Sequence, residues 1–266
     1  MPPTPVSRLK PRHHVRHALL GLALAGLVAP AGRAADGAPI LDPKAPRDAL
    51  REIVQDACLV HWQADHVPDP CVRIVLPETG DVAAGYAILK DRKGGAHFLL
   101  IPTRTVSGIE SPLLLAASGP NYFAAAWDAR RELDAVAGRR LERTEVGLAV
   151  NGAHARSQDQ LHIHIECLQP ALRAVLRDEK HLATTAWTPI EVPGWRLSAL
   201  RIDGATLAGA DPFRLLATLM PGAAQAMGDY SLLVAGVDGA AGPGFVLLAG
   251  TGQGSELMLD SRCEPP

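Results

Sequence analysis

The amino-acid sequence predicts an α+β fold: a mainly antiparallel sheet with flanking helices on one face. Three observations carry that expectation. The strand-like segments are short and bounded by Gly or Pro. Helical spacing is confined to a few segments with capping residues at their starts. One stretch, Gln160 to Cys167, alternates strictly between polar and apolar residues, as a half-buried strand does.

The 266 residues are 47% hydrophobic, enough for one substantial domain or two small ones sharing a sheet. Aromatic residues make up 4%, so the core must rest on Leu, Val, Ile and Ala. Nothing in this composition suggests the stacking platform or basic face of a nucleic-acid binder, and no nucleic-acid partner is expected.

Basic residues are unevenly placed. Residues 1–34 hold Arg8, Lys10, Arg12, Arg16 and Arg33 and no acid, while the rest sets 21 basic residues against 28 acidic ones. From Ala18 to Gly32 the chain is uncharged and mostly apolar, and Gly32-Arg33-Ala34 offers small residues at a cleavage point before Ala35. A basic start, a short apolar run and a small-x-small site describe a bacterial export signal. The run has 15 residues, short of the ~18–20 that span a bilayer comfortably. Cut or retained as an anchor, residues 1–34 would deliver the body to the periplasmic face of the inner membrane.

The four cysteines allow three pairings, and an even number in an exported chain favours disulfides. Cys58 with Cys71 would close a short local loop around His61 and His66; Cys167 with Cys263 would tie the end of the chain to the alternating strand.

In order, 35–46 reads as an exposed linker rich in Ala, Pro and Asp. Asp48 is placed to cap a helix that His61 and Trp62 close, with Leu50, Ile53, Val54 and Ala57 at helical spacing. Strands follow at Val72–Leu76 and Gly85–Lys90, then a hairpin turn at 90–95 whose two glycines supply positive φ. His97–Pro102 is a continuous apolar strand of the kind buried on both faces. A short helical piece lies near Ile109–Ala117, and Asn121 caps a helix through about Val136, in which Trp127 belongs to the core. Val146–Val150 is a strand joined by Asn151–Ser157 to the alternating one, in a hairpin whose loop can lie over the histidines.

After Gln169-Pro170 a helix runs to about Leu182. Trp195–Ile202, Tyr230–Val237 and Phe245–Ala249 are strands, with a helix from Asp211 to Met220 between the first two. This order resembles the first half without its histidines and suggests a catalytic half, 48–182, followed by a degenerate half, 183–266. The Gly-rich runs at 236–244 and 250–254 lack the Gly-Lys-Ser/Thr ending of a phosphate loop.

Alternation puts Gln160, His162, His164 and Glu166 on one strand face. A polar edge strand would alternate equally, but two neighbouring imidazoles between Gln and Glu favour chemistry. His162 and His164 could also be two nitrogen ligands of a metal, although a third ligand is not evident beyond Glu166 or the sequence-distant His97 and His154.

Gln160-Leu161-His162-Ile163-His164-Ile165 resembles the histidine-triad signature, whose middle His is the nucleophile. Asn151 and Ser157 stand about where that superfamily keeps phosphate-contacting residues. The wider text is closer to one branch. Leu89-Lys90-Asp91, His97-Phe98-Leu99-Leu100-Ile101-Pro102-Thr103, Gly108-Ile109-Glu110-Ser111-Pro112, Asn121-Tyr122-Phe123, Ala126-Trp127-Asp128-Ala129-Arg130 and Arg156-Ser157-Gln158-Asp159-Gln160-Leu161-His162 together resemble the bacterial CDP-diacylglycerol pyrophosphatases. The likeness covers most of 48–168 and, more weakly, Ser255 to Cys263. Gln160 departs from the general pattern, which usually has His there, and Thr105 stands where many members have His.

The resemblance implies a histidine-triad-like sheet and hydrolysis of CDP-diacylglycerol, met at the membrane surface, to CMP and phosphatidate. It makes His162 the nucleophile and His164 and Gln160 ligands of phosphate oxygens, with Ser157, Asn151 and Arg156 adding donors and charge. An amide cannot protonate a leaving group, but phosphatidate departs as a phosphate monoester and needs little help. The scheme calls for no metal or other cofactor. Pairing of two chains through the sheet is compatible with it.

Overall fold

The computed structural model of the protein describes residues 45–92, 94–177, 186–239 and 242–264. The export or anchor segment expected in 1–34 lies outside them, as does most of the linker. Among the described residues no helix is long and apolar enough to cross a membrane.

A sheet of ten strands, antiparallel throughout, organises the chain. The strands are β1 (Arg73–Val75), β2 (Tyr86–Lys90), β3 (Phe98–Pro102), β4 (Val146–Val150), β5 (Ile163–Leu168), β6 (Thr188–Val192), β7 (Trp195–Asp203), β8 (Tyr230–Gly239), β9 (Gly242–Thr251) and β10 (Leu259–Asp260). Their spatial order is β1-β2-β3-β5-β4-β8-β9-β7-β6, and β10 pairs with the far end of β5, beyond the reach of β3. Outward from the β4–β8 junction, both sides follow the same order: third, fourth, second, first strand of a group of four.

The helices are α1 (Ala49–Glu52), α2 (Leu59–Asp65), α3 (Tyr122–Ala129), α4 (Glu132–Ala137), α5 (Pro170–Leu176) and α6 (Pro212–Leu219). A π-helical segment, Ile53–Cys58, joins α1 to α2. They cover both faces of the sheet, not one. Alternation within β3 shows why: Leu100 enters a core shared with Phe123, Trp127 and Phe213 of α3 and α6. Leu99 and Ile101 enter a second core under α1 and α2. Every residue of β3, β4 and β5 is buried, so both faces of these strands are covered. A third core, with Leu172 and Leu176 of α5 over Leu233 and Leu248, shares the face of the second.

The helix ends follow local chemistry with some shifts from the sequence reading. The Asn121 side chain accepts from Ala124 N at 3.0 Å and caps α3 as expected. It also donates to Leu207 O and Ala210 O, fastening that end to the loop before α6. Asp211 caps α6 by accepting from Phe213 N. Asp48 instead pairs with Arg51 at 2.7 Å and makes no side-chain cap. The first helix passes His61 and Trp62 and stops at Asp65, where His66 adopts a left-handed conformation. The helix expected from 121 to 136 breaks after Ala129, where the Arg130 guanidinium lies over the Trp127 ring. The helix after Pro170 ends at Leu176, and its expected continuation to Leu182 lies largely outside the described residues.

Both expected disulfides are present: Cys58–Cys71 closes the loop after α2, and Cys167–Cys263 ties the chain end to β5. β6 was not expected. It is an edge strand with an interior Pro, which an edge tolerates and a central strand does not.

Candidate active site

β5 has small neighbours where its polar side chains stand. His164 faces Ala149 and Glu166 faces Gly147 across the β4 ladder; Leu168 and Leu259 pack over Gly147. α1 and α2 cover the sheet on the β1–β3 side of this point and α5 covers it on the other. Between them lies a cleft of about 430 Å³. His162, His164, Asn151 and Ser157 line it, together with His97, Asp91, Glu166 and Glu256.

His162 sits one residue before β5 and is buried. Its Nδ1 lies 2.7 Å from the backbone carbonyl of Gln160. A carbonyl only accepts, so Nδ1 carries the proton and the neutral ring keeps an unshared pair on Nε2. Burial, and then the neighbouring His164, hold its pKa down to about 4.

His164 is engaged at both nitrogens. Nδ1 is 3.0 Å from His97 Nε2, and the two rings stack. Nε2 is 2.9 Å from a Glu256 carboxylate oxygen, although its N–H is not aimed along that line, so the contact is an ion pair more than a linear hydrogen bond. Burial opposes the charged ring, but Glu256 outweighs it, with Glu166 and Asp91 adding to the effect, and the pKa of His164 is raised. Glu256 is drawn down to about 2 by the same pair against its own burial. Glu166 is pushed up to about 7 by burial, with His164 acting against the rise.

The loop between β4 and β5 brings some of the expected donors to the cleft and keeps others away. Asn151 is buried on its wall and accepts from Glu256 N at 3.3 Å; Ser157 is exposed on the same wall. Gln160 is elsewhere. Its amide donates to the carbonyls of Pro102 and Arg104, both at 2.9 Å, and accepts from Val106 N at 3.2 Å. Both amide hydrogens are spent on pinning the 102–106 loop, which leaves none for a phosphate. The strict alternation fails here because residues 160–162 precede the ladder.

Arg156 is likewise committed. It forms a two-pronged pair with Glu110 at 2.7 and 2.8 Å and reaches Asp159 at 3.2 Å, which in turn binds Arg47 at 2.6 Å. It does not line the cleft.

The fold brings two further groups, His97 and Glu256, to His164. His97 stands one position before Phe98, which pairs with Ile165, so the β3–β5 register carries it to Glu166 and His164. Its Nε2 is 3.3 Å from Glu166 Oε1, and its Nδ1 is 3.9 Å from Asp91. Glu256 arrives from a 3₁₀ turn, Ser255–Met258, held by Ser255 Oγ donating to Val150 O. The ligand atoms of His97, His164 and Glu166 lie within 4.8 Å of one another and could hold a metal ion. That set uses His164 but not the His162–His164 pair. His154 is on the surface, beside Asp229.

A buried neutral imidazole with one nitrogen locked to a carbonyl, beside a second imidazole paired to a carboxylate, can attack an electrophilic phosphorus. A model of the family described as CDP-diacylglycerol pyrophosphatase matches residues 45–264. A protein of Yersinia pestis named CDP-diacylglycerol pyrophosphatase is 42% identical over 191 residues, covering 70% of this chain and 71% of its own. The match takes in the sheet, the cleft and both disulfides. The chain belongs to the CDP-diacylglycerol pyrophosphatase family.

Proposed function

We propose that the protein hydrolyses CDP-diacylglycerol to CMP and phosphatidate through a covalent intermediate on His162. One observation carries this reading: the Nδ1 contact to Gln160 O, which fixes the tautomer and leaves the Nε2 pair for attack. Family membership supplies the substrate class.

Nε2 attacks the phosphorus of the CMP half. An N–P bond forms, the P–O bond to phosphatidate breaks, and the leaving monoester carries the displaced charge. Water then attacks the same phosphorus, the N–P bond breaks, and CMP departs. The Nδ1 hydrogen bond stabilises the ring while it is cationic in the intermediate. Asn151 and Ser157 offer donors from the cleft wall; Gln160 and Arg156 act indirectly, one by fixing the 102–106 loop and the other by fixing the loop that carries Ser157.

Residues 1–34 would hold or deliver the body at the periplasmic face of the inner membrane, where diacyl substrate lies. The matching strand order on the two sides of the β4–β8 junction supports reading 183–266 as a degenerate copy of 48–182.

The test is CMP release from CDP-diacylglycerol in detergent by the full chain beside His162→Ala, with the wild type quenched in acid-free denaturant to trap labelled protein. Loss of about 10³-fold or more in His162→Ala, and a cytidylyl label on the wild type alone, is the expected outcome. Turnover by His162→Ala at the wild-type rate would end the covalent reading.

A further inference from the structure

We infer that His97, His164 and Glu166 form a binding site for a divalent transition metal ion of the zinc type, beside the nucleophile and open to the cleft. The spacing of the ligand atoms is the first support. His97 Nε2, His164 Nδ1 and Glu166 Oε1 are separated by 3.0, 3.3 and 3.9 Å. A tetrahedral ion with bonds of about 2.0–2.2 Å holds its ligand atoms about 3.4 Å apart, within that range. A hydrogen bond between the two histidines explains the shortest distance alone. It does not explain why a buried carboxylate oxygen converges on the same point.

Orientation of the rings is the second support. Each histidine turns its other nitrogen to a carboxylate: His97 Nδ1 to Asp91 at 3.9 Å, His164 Nε2 to Glu256 at 2.9 Å. Metal-bound imidazoles have carboxylates on this side, and here both act as charged neighbours of the rings rather than as linear hydrogen-bond acceptors. Two ligands come from β5 and one from the residue before β3, all on rigid backbone.

Charge is the third, and this part rests on the proposed pyrophosphate substrate. The described lining contains three carboxylates, Asp91, Glu166 and Glu256, and no lysine or arginine. Beyond the imidazoles, that wall offers a pyrophosphate no fixed cation, and a divalent ion would supply one. With three protein ligands, the ion keeps a fourth position for water or a phosphate oxygen. His162 stays outside the coordination, with its ring centroid 5.0 Å from that of His164, and remains the attacking group.

The experiment is titration of chelator-stripped full chain, in detergent and without an added polyhistidine tag, with Co²⁺ read by its visible absorption. His13, His14 and His17 of the leader are present in every variant and cancel in the comparison. Expected is one equivalent with the strong band of a tetrahedral site, absent in His97→Ala and Glu166→Gln and retained in His162→Ala. Asp91→Asn, which removes only an outer partner, should weaken binding about tenfold and guards against misfolding of the ligand variants. Addition of CMP should shift the band as a phosphate oxygen enters. Equal cobalt binding and spectra in the wild type, Glu166→Gln and Asp91→Asn would overturn the site. That result alongside loss of CMP release in His162→Ala would remove the ion and keep the nucleophile. A tetrahedral band with full turnover by His162→Ala would do the reverse.

Discussion

At the residue scale, Gln160 separates structure from chemistry. Its side chain is buried and makes three hydrogen bonds to the 102–106 backbone. Gln160→Ala leaves two carbonyls and one N–H without partners, and an unsatisfied buried group costs about 1–3 kcal/mol. Chemical denaturation should show a loss of that order, with turnover of the remaining folded protein falling far less than in His162→Ala. Equal stability with a large loss of turnover would return Gln160 to the phosphate. Asp159 offers a pH test. Hydrogen bonding to Arg47, set against some desolvation and helped by Arg156, holds its pKa down to about 2 from 3.8. A carboxyl depressed on folding contributes stability that is fully present above about 3.8 and fades as pH falls through about 2. The pair is partly exposed, so the effect is small. Denaturant midpoints measured between those two values should fall less steeply in Asp159→Asn than in the wild type.

At the element scale, the two disulfides guard different things. Cys58–Cys71 closes 13 residues beside α2, whereas Cys167–Cys263 spans 96 and fastens the segment that carries Glu256 to β5. Chain entropy alone favours the longer loop, by about 3 against 4–5 kcal/mol. Replacing Cys167 and Cys263 together by Ser should therefore lower the thermal midpoint more than the same change at Cys58 and Cys71. It should also weaken turnover in protein that is still folded, because β10 and Glu256 lose their anchor. A larger turnover loss from the Cys58 and Cys71 change would contradict that assignment.

Most of these elements were legible from local pattern. β3 reads as a continuous apolar run and β4 as Val146–Val150, while Asn121 and Asp211 mark two helix starts. His162 and His164 declare themselves by alternation. What local pattern could not supply was register. His97 reaches His164 only because β3 pairs with β5, and Glu256 only because the chain end returns to β5. For Arg156, sequence shows a charge but not the Glu110 that pairs with it 46 residues away. The side of the sheet that helices cover was hidden for the same reason.

At the scale of the whole molecule, the symmetric strand order raises the question of whether the first half is a domain. The cores answer it physically. β4 pairs with β8 along Gly147–Val150, so a chain cut before β6 would expose that edge of four fully buried residues. The large core crosses the same line: Phe123 of α3 packs on Phe213 of α6, and Trp127 on Phe245 of β9, both at 4.8 Å between ring centroids. Glu256, paired with His164, also comes from beyond the cut. Removing 183–266 therefore strips one side from the aromatic core as well as a charge from the cleft. Residues 45–177 expressed alone should lack a cooperative unfolding transition and aggregate through β4, while the intact chain melts in one step with its disulfides oxidised. Two separate transitions in the intact chain, or a soluble and cooperatively folded 45–177, would mean that the halves are independent and that the shared core is secondary.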